Sequence, residues 1–305
     1  MLTYLYKRTL QMLLVIFLAL TVVFFLIRLS GDPTMLYLPT DATREQISEF
    51  RKLLGFDRPL YIQYGEFINN AIRGDFGTSL TTKENALSMV IDRIPATFQL
   101  AFSSLILSLA IAIPIGILSA HKRKSAIDQV GVGLTVLGQA LPNFWLGIIL
   151  IFIFSVTLKW LPSGGGGSLT HLILPTITLA GYSVAVYARF TRSTMLDILR
   201  KDYIRTARAS GVSNARILTK YGLKNALIPI ITLVALDLGT LLGGAVITEF
   251  VFSWPGIGRL LLDSLLSRDF PVVMAGVFLI AVIYSVLNFI VDILYVYVNP
   301  QIRFK

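Results

Sequence analysis

Hydrophobic positions fall into six long runs separated by polar stretches: residues 9–29, 96–120, 130–157, 172–190, 228–252 and 272–298. A helix crosses a membrane with about 20 mostly apolar residues, so each run is a candidate span. The pattern predicts an all-α integral membrane protein built as a six-helix transmembrane bundle. Lys7 and Arg8 precede the first run as in a signal peptide. That run is too long for a signal core and no small-x-small site follows it, so it is expected to stay as a span. Pro114 and Pro142 are expected to kink or interrupt their helices, which membrane bundles tolerate.

The polar stretch 30–95 predicts a small helical cap. Thr43-Arg-Glu-Gln46 fits a capping box, Ile47, Phe50 and Leu54 recur at helical spacing, and Gly55 is a natural stop. A second helix is expected from Pro59, with Leu60, Tyr64, Phe67 and Ile68 on one face. Gly74–Leu80 reads as a glycine-punctuated turn. The cap is equally compatible with a docking or gating element and with a lid that packs on the outer helix ends.

Charge orients the runs. Residues 121–128 carry Lys122, Arg123 and Lys124, and residues 189–224 carry nine Lys or Arg against Asp197 and Asp202. The alternate loops are poorer: 160–171 has no Lys or Arg, and 253–271 has Arg259 and Arg268 against Asp263 and Asp269. Basic loops mark the cytoplasmic side, so both termini are expected inside and residues 30–95 outside. Of the 305 residues, 55% are hydrophobic and 14% charged, which is too apolar for a soluble domain. The net charge of +10 is then accounted for by the positive loops and not by nucleic acid. With no cysteine and only His121 and His171, thiolate and histidine metal clusters are excluded.

Few polar residues lie inside the runs. Asp237 sits near the middle of the fifth, where an ionisable group costs about 3 kcal/mol on insertion scales and points to a cavity or pathway. A hydrogen bond to a neighbouring helix is the alternative. Asn288 in the sixth run is a weaker candidate of the same kind, while Glu249 and Asp292 lie near run ends, where interfacial contacts suffice. Gly239-x-x-x-Gly243-Gly244 permits close helix approach, within the chain or to another subunit. No phosphate-binding loop, HExxH or G-x-S-x-G occurs, so no catalytic residue is assigned; Gly164–Gly167 lacks the lysine of a phosphate loop.

The remaining organised segment is 202–229, DYIRTARASGVSNARILTKYGLKNALIP, with Arg205, Arg208, Arg216, Lys220 and Lys224 against Asp202. A connection this long is unusual, and it predicts a docking surface. Arg205-Thr-Ala-Arg-Ala-Ser-Gly211 with Pro229 resembles the cytoplasmic loop of binding-protein-dependent ABC importer permeases, E-A-A-x-x-x-G followed by a proline. Arg205 and Thr206 replace the glutamate and first alanine, a variant similar to the peptide/nickel branch. The likeness continues through Gly31-Asp-Pro33, Gly55-Phe-Asp-Arg-Pro-Leu60, Gly74-Asp-Phe-Gly-Thr-Ser79, Ile94-Pro-Ala-Thr97, Leu141-Pro-Asn-Phe-Trp145, Ala188-Arg-Phe-Thr-Arg192, Phe252-Ser-Trp-Pro-Gly256 and Asn299-Pro-Gln-Ile-Arg303. The chain resembles the first, or B-type, permease subunit of dipeptide, oligopeptide, glutathione or nickel importers.

The resemblance implies one type I importer permease domain over residues 1–305, with an extracytoplasmic segment at 30–95 and a coupling loop at 191–228. It implies two short coupling helices set at an angle in a cleft of an ATPase, carrying Tyr203, Arg205, Thr206, Ala207, Arg208, Ala209 and Arg216, with Gly211 at the turn. A bulky residue at Gly211 is expected to misplace the second helix. Implied partners are a homologous second permease, two ATPases, an extracytoplasmic binding protein and membrane lipid, in the inner membrane. ATP and Mg belong to the ATPases, so this chain has no cofactor. A short peptide is the expected substrate, with nickel, another chelated metal or glutathione as alternatives. A secondary transporter would need internal repeats with paired broken helices, and an intramembrane enzyme a catalytic pair; neither pattern is present.

Overall fold

The computed structural model describes residues 2–29, 42–53 and 57–298, with positions 34, 38 and 55; the motifs at 31–33 and 299–303 lie outside these. The described residues are helical, with a lone bridge between Thr78 and Asn85. In chain order the helices are α1 (Leu2–Leu29), α2 (Arg44–Leu53), α3 (Leu60–Ile72), α4 (Ala86–Ile91), α5 (Ile94–His121), α6 (Ala126–Ala140) and α7 (Asn143–Leu150). A π-helical stretch, Ile151–Thr157, continues α7. Then come α8 (Leu169–Leu199), α9 (Asp202–Ala209), α10 (Asn214–Arg216), a second π-helical stretch (Ile217–Leu223), α11 (Lys224–Val251), α12 (Ile257–Leu266) and α13 (Phe270–Val298).

Among the described residues five helices are long and apolar enough to cross a membrane, and six if the pair on either side of Leu141–Pro142 forms one broken span. The third run is therefore not one rod. Pro142 leaves the helix before it without a continuing amide donor and starts α7 in an extended conformation, φ −62° and ψ 137°. Pro114, in contrast, lies inside an uninterrupted α5.

The backbone divides into two compact units. The first comprises residues 1–94 and 260–289. Its polar segment after α1 folds as the capping chemistry predicts: Thr43 N donates to Gln46 Oε1 at 2.9 Å and Gln46 N to Thr43 Oγ1 at 3.3 Å. Of the face expected on α3, Tyr64, Phe67 and Ile68 turn inward and Leu60 does not. Leu60 is exposed, Gln63 and Ala71 are buried, and Tyr64 and Phe67 lie against Phe24 with ring centroids 5.4 and 5.3 Å away. The glycine-punctuated turn is tied down, not free. Buried Asp269 accepts from Ser79 Oγ, Thr81 Oγ1 at 2.9 Å and Leu80 N at 3.0 Å.

The second unit comprises residues 95–259 and 290–305. Its apolar clusters run along α8: Leu100, Leu179, Leu241, Ala245 and Trp254 at one level, Ala112, Tyr187 and Ala188 at another, and Ala120, Met195, Ala226 and Ile230 at a third. Small residues set the spacing. The close approach is made not by Gly243 of the GxxxG pair, where a Cβ would meet nothing within 4 Å, but by the adjacent Gly244, where it would stand 3.2 Å from Leu179 Cδ1.

Two carboxylates lock this unit. Asp128 receives both arms of Arg192, Nε at 2.6 Å and Nη2 at 2.9 Å, which pins the start of α6 to α8. Glu249 is fully buried and accepts from Thr97 Oγ1 at 2.7 Å, Gly258 N at 2.7 Å and Arg259 N at 3.3 Å. It thus supplies acceptors to the first amides of α12, which have no partner within that helix. Glu249 is accordingly an interior anchor and not a residue satisfied by interfacial contacts.

Candidate functional site

The basic segment folds as a helix–turn–helix. The turn after α9 is a Schellman cap: Val212 N donates to Ala207 O at 3.1 Å and Gly211 N to Arg208 O at 3.0 Å. Gly211 takes φ +77°, the left-handed conformation such a cap requires and which residues with a Cβ adopt at a cost. A Cβ there meets nothing within 4 Å, so the demand for glycine in this chain is conformational and not a matter of bulk.

The second arm differs from a separate short helix. From Asn214 it passes through the π-helical stretch Ile217–Leu223 directly into α11, so the arm and the fifth apolar run form one helical body. The first arm, α9, is held to it by Ile204, Ala207 and Ile217, which are buried and flanked by Leu199, Val212 and Tyr221. Residues 191–199, the first part of the loop that the resemblance implies, are the last turns of α8.

With the apolar side inward, the polar side is presented outward. Tyr203, Arg205, Thr206, Arg208, Ala209, Gly211 and Arg216 are exposed. Arg205 lies 3.4 Å from Asp202 in an open i,i+3 pair, and Thr206 Oγ1 donates back to Asp202 O at 3.1 Å. Arg208 and Arg216 have no ion-pair partner among the described residues. The result is a braced platform with an aromatic ring and fixed positive charge on its face.

The polar candidates inside the spans behave differently from each other. Asp237 is half-buried in α11, and its Oδ2 accepts from Tyr187 Oη at 2.8 Å and Ser183 Oγ at 3.4 Å, both on α8. Asn288 spends its Nδ2 on Tyr284 O of its own helix at 3.0 Å. The local sequence signal singled out Asp237 as an acid in an apolar run. Nothing local pointed to Tyr187, Ser183, Arg192 or Thr97, whose partners lie 50 to 152 positions away.

A model of the family described as binding-protein-dependent transport system inner membrane component matches residues 112–304, and one for the N-terminal part of such membrane components matches residues 1–101. The chain belongs to this permease family. It is 42% identical over 306 residues to the glutathione transport system permease protein GsiC of Salmonella choleraesuis (strain SC-B67), with 100% of both chains covered. The protein of the same name from Escherichia coli (strain K12) is 41% identical over the same extent. Among solved structures, a chain of the inward-facing MetNI methionine ABC transporter aligns with a TM-score of 0.60 at 19% identity, covering 69% of this permease and 96% of that chain. A chain of an amino acid ABC transporter solved with histidines aligns at 0.52 and 17% identity, covering 70% and 94%. These likenesses show the fold. The chain is thus a multi-pass inner-membrane permease subunit of an ABC importer, of the family that works with an ATPase and a binding protein.

Proposed function

We propose that this permease forms half of the translocation pathway of an importer for short peptides of glutathione size, and that residues 202–223 receive the stroke of an ATPase. The observation that carries the coupling reading is the continuity of the second arm with α11. A displacement imposed on the arms need not pass through a flexible joint. Roughly 30 Å of helix leads from Ile217 to Asp237 at 1.5 Å per residue, so the push arrives at mid-span. The exposed Tyr203 and the arginines are the residue types that anchor interfaces.

In this reading ATP and Mg are bound by two partner ATPases, and a second permease completes the pathway. A binding protein delivers substrate from outside, with both termini of this chain inside. The exposed apolar stripe of α1, including Leu10, Leu14, Leu18 and Val22, faces lipid or the second permease. ATP and the loaded binding protein then bias a bundle with two arrangements, which is all that coupling requires thermodynamically. The substrate class is supported by the glutathione permeases that resemble the chain along its whole length.

The test is purification from the native membrane through a tag on this chain, with mass spectrometry of what accompanies it. A second permease, two ATPases and a binding protein are expected, and the binding protein is then screened with glutathione and dipeptides. Recovery of the chain alone, or as a homodimer with no ATPase, would overturn the reading.

A further inference from the structure

We propose that Asp237 is the point in the pathway that binds the ammonium group of the transported peptide. The inference rests on the reading of this chain as half of a short-peptide pathway. Asp237 stands thirteen residues after Lys224 and fourteen before Val251, at the centre of α11. About 20 Å of helix lies on either side of it. A carboxylate at that depth is costly unless a partner or a wet pathway compensates it. Among the described residues no cation pairs with it.

The surroundings of Asp237 fix its orientation without neutralising it. Tyr187 is fully buried and Ser183 nearly so, and both hydroxyls point at the same oxygen, Oδ2. Oδ1 receives no hydrogen bond from a described residue, and the side chain is half-buried, not sealed. One carboxylate oxygen is therefore aimed by the protein and the other is left for something that arrives.

The geometry selects among cations. A guanidinium prefers to engage both oxygens of a carboxylate in parallel, and here Oδ2 is already taken. A primary ammonium is a compact point charge with three donors, and it can sit on one oxygen. Free peptides and glutathione carry such a group. An ammonium held on a single carboxylate oxygen is also released without a large penalty, as a pathway site requires.

The whole importer, with its own binding protein at saturation, is reconstituted in vesicles, and uptake of glutathione is compared with that of N-acetylglutathione, which lacks the ammonium. Asp237→Asn is expected to lower glutathione uptake by about tenfold or more, the scale for loss of one partner of a close charge pair. Relative to the unsubstituted complex, uptake of the acetylated form should be unchanged, and ATP hydrolysis should still respond to the loaded binding protein. Asp237→Glu should recover part of the glutathione uptake. An equal fall for both substrates, or no change in either, overturns the proposal and leaves Asp237 a packing residue. If the unsubstituted complex carries neither glutathione nor dipeptides, the short-peptide reading itself fails and this inference falls with it.

Discussion

At the residue scale, what each position demands can be separated into space and conformation. Gly211 has open space around it and φ +77°, so any residue with a Cβ incurs the left-handed penalty, about 1–2 kcal/mol, whatever its size. Gly211→Ala and Gly211→Leu are therefore expected to impair ATP-coupled uptake to a similar degree, with Gly211→Asn retaining most of it. A graded loss that follows side-chain volume would show instead that a partner surface closes over this turn. Glu249 poses the opposite demand: it is fully enclosed, and its carboxylate alone satisfies the Thr97 hydroxyl and the Gly258 and Arg259 amides. Glu249→Ala leaves those donors buried without an acceptor. The expected loss is roughly 3 kcal/mol of stability, since each unsatisfied buried group costs about 1–3 kcal/mol. Trp254 lies in the same knot, its indole N–H on Ala96 O at 2.9 Å, so intrinsic fluorescence during thermal unfolding reports the change. An unfolding midpoint within a degree or so of the unsubstituted complex would contradict this role.

At the element scale, helices are set by contacts that the linear pattern does not reveal. The Asp128–Arg192 pair fixes the start of α6 to α8 with a two-armed contact, and Lys124 N adds a third donor at 2.9 Å. Asp128 is nearly buried and Arg192 about a quarter exposed, so solvent screens the pair only in part. A double-mutant cycle with Asp128→Ala and Arg192→Ala is expected to give a coupling energy above about 1 kcal/mol in thermal or denaturant unfolding. Additive losses would mean that each side chain contributes by packing alone. The same contrast explains what could be seen in the sequence. The six apolar runs and the Thr43–Gln46 capping box are local and were legible, because hydrophobic spacing and capping chemistry act within a few residues, while the Gly211 turn was expected from the family resemblance. The face of α3 with Tyr64, Phe67 and Ile68 was legible too, whereas the burial of Gln63, whose Nε2 donates to Arg58 O at 2.6 Å, was not, because its polarity points the other way. The break at Pro142 was legible, but the π-helical stretches were not. Glu249, Asp269 and Asp128 find partners 152, 190 and 64 positions away, and only the folded chain brings them together.

At the scale of the whole molecule, the platform proposed to meet an ATPase offers two kinds of group whose contacts respond differently to salt. Arg208 and Arg216 are exposed and without ion-pair partners among the described residues, so their attraction to an acidic rim would act through solvent over about a Debye length. Such charges govern the rate of encounter more than the final grip. Tyr203, exposed on the same helix as Arg208, offers an amphipathic ring that gains affinity by being buried, which salt hardly screens. The double substitution Arg208→Glu with Arg216→Glu is expected to slow association of the ATPase with the permease in nanodiscs by tenfold or more at about 0.05 M salt. The deficit should shrink to a few fold near 0.5 M, where the Debye length falls to about 4 Å. Tyr203→Ala should instead raise the dissociation rate by a similar factor at both salt concentrations. The two substitutions thus separate steering from grip on one small surface. If the arginine pair changed neither rate while Tyr203→Ala did, the platform would dock through its apolar contact alone, and the positive charge of this segment would reflect only its place on the cytoplasmic side of the membrane.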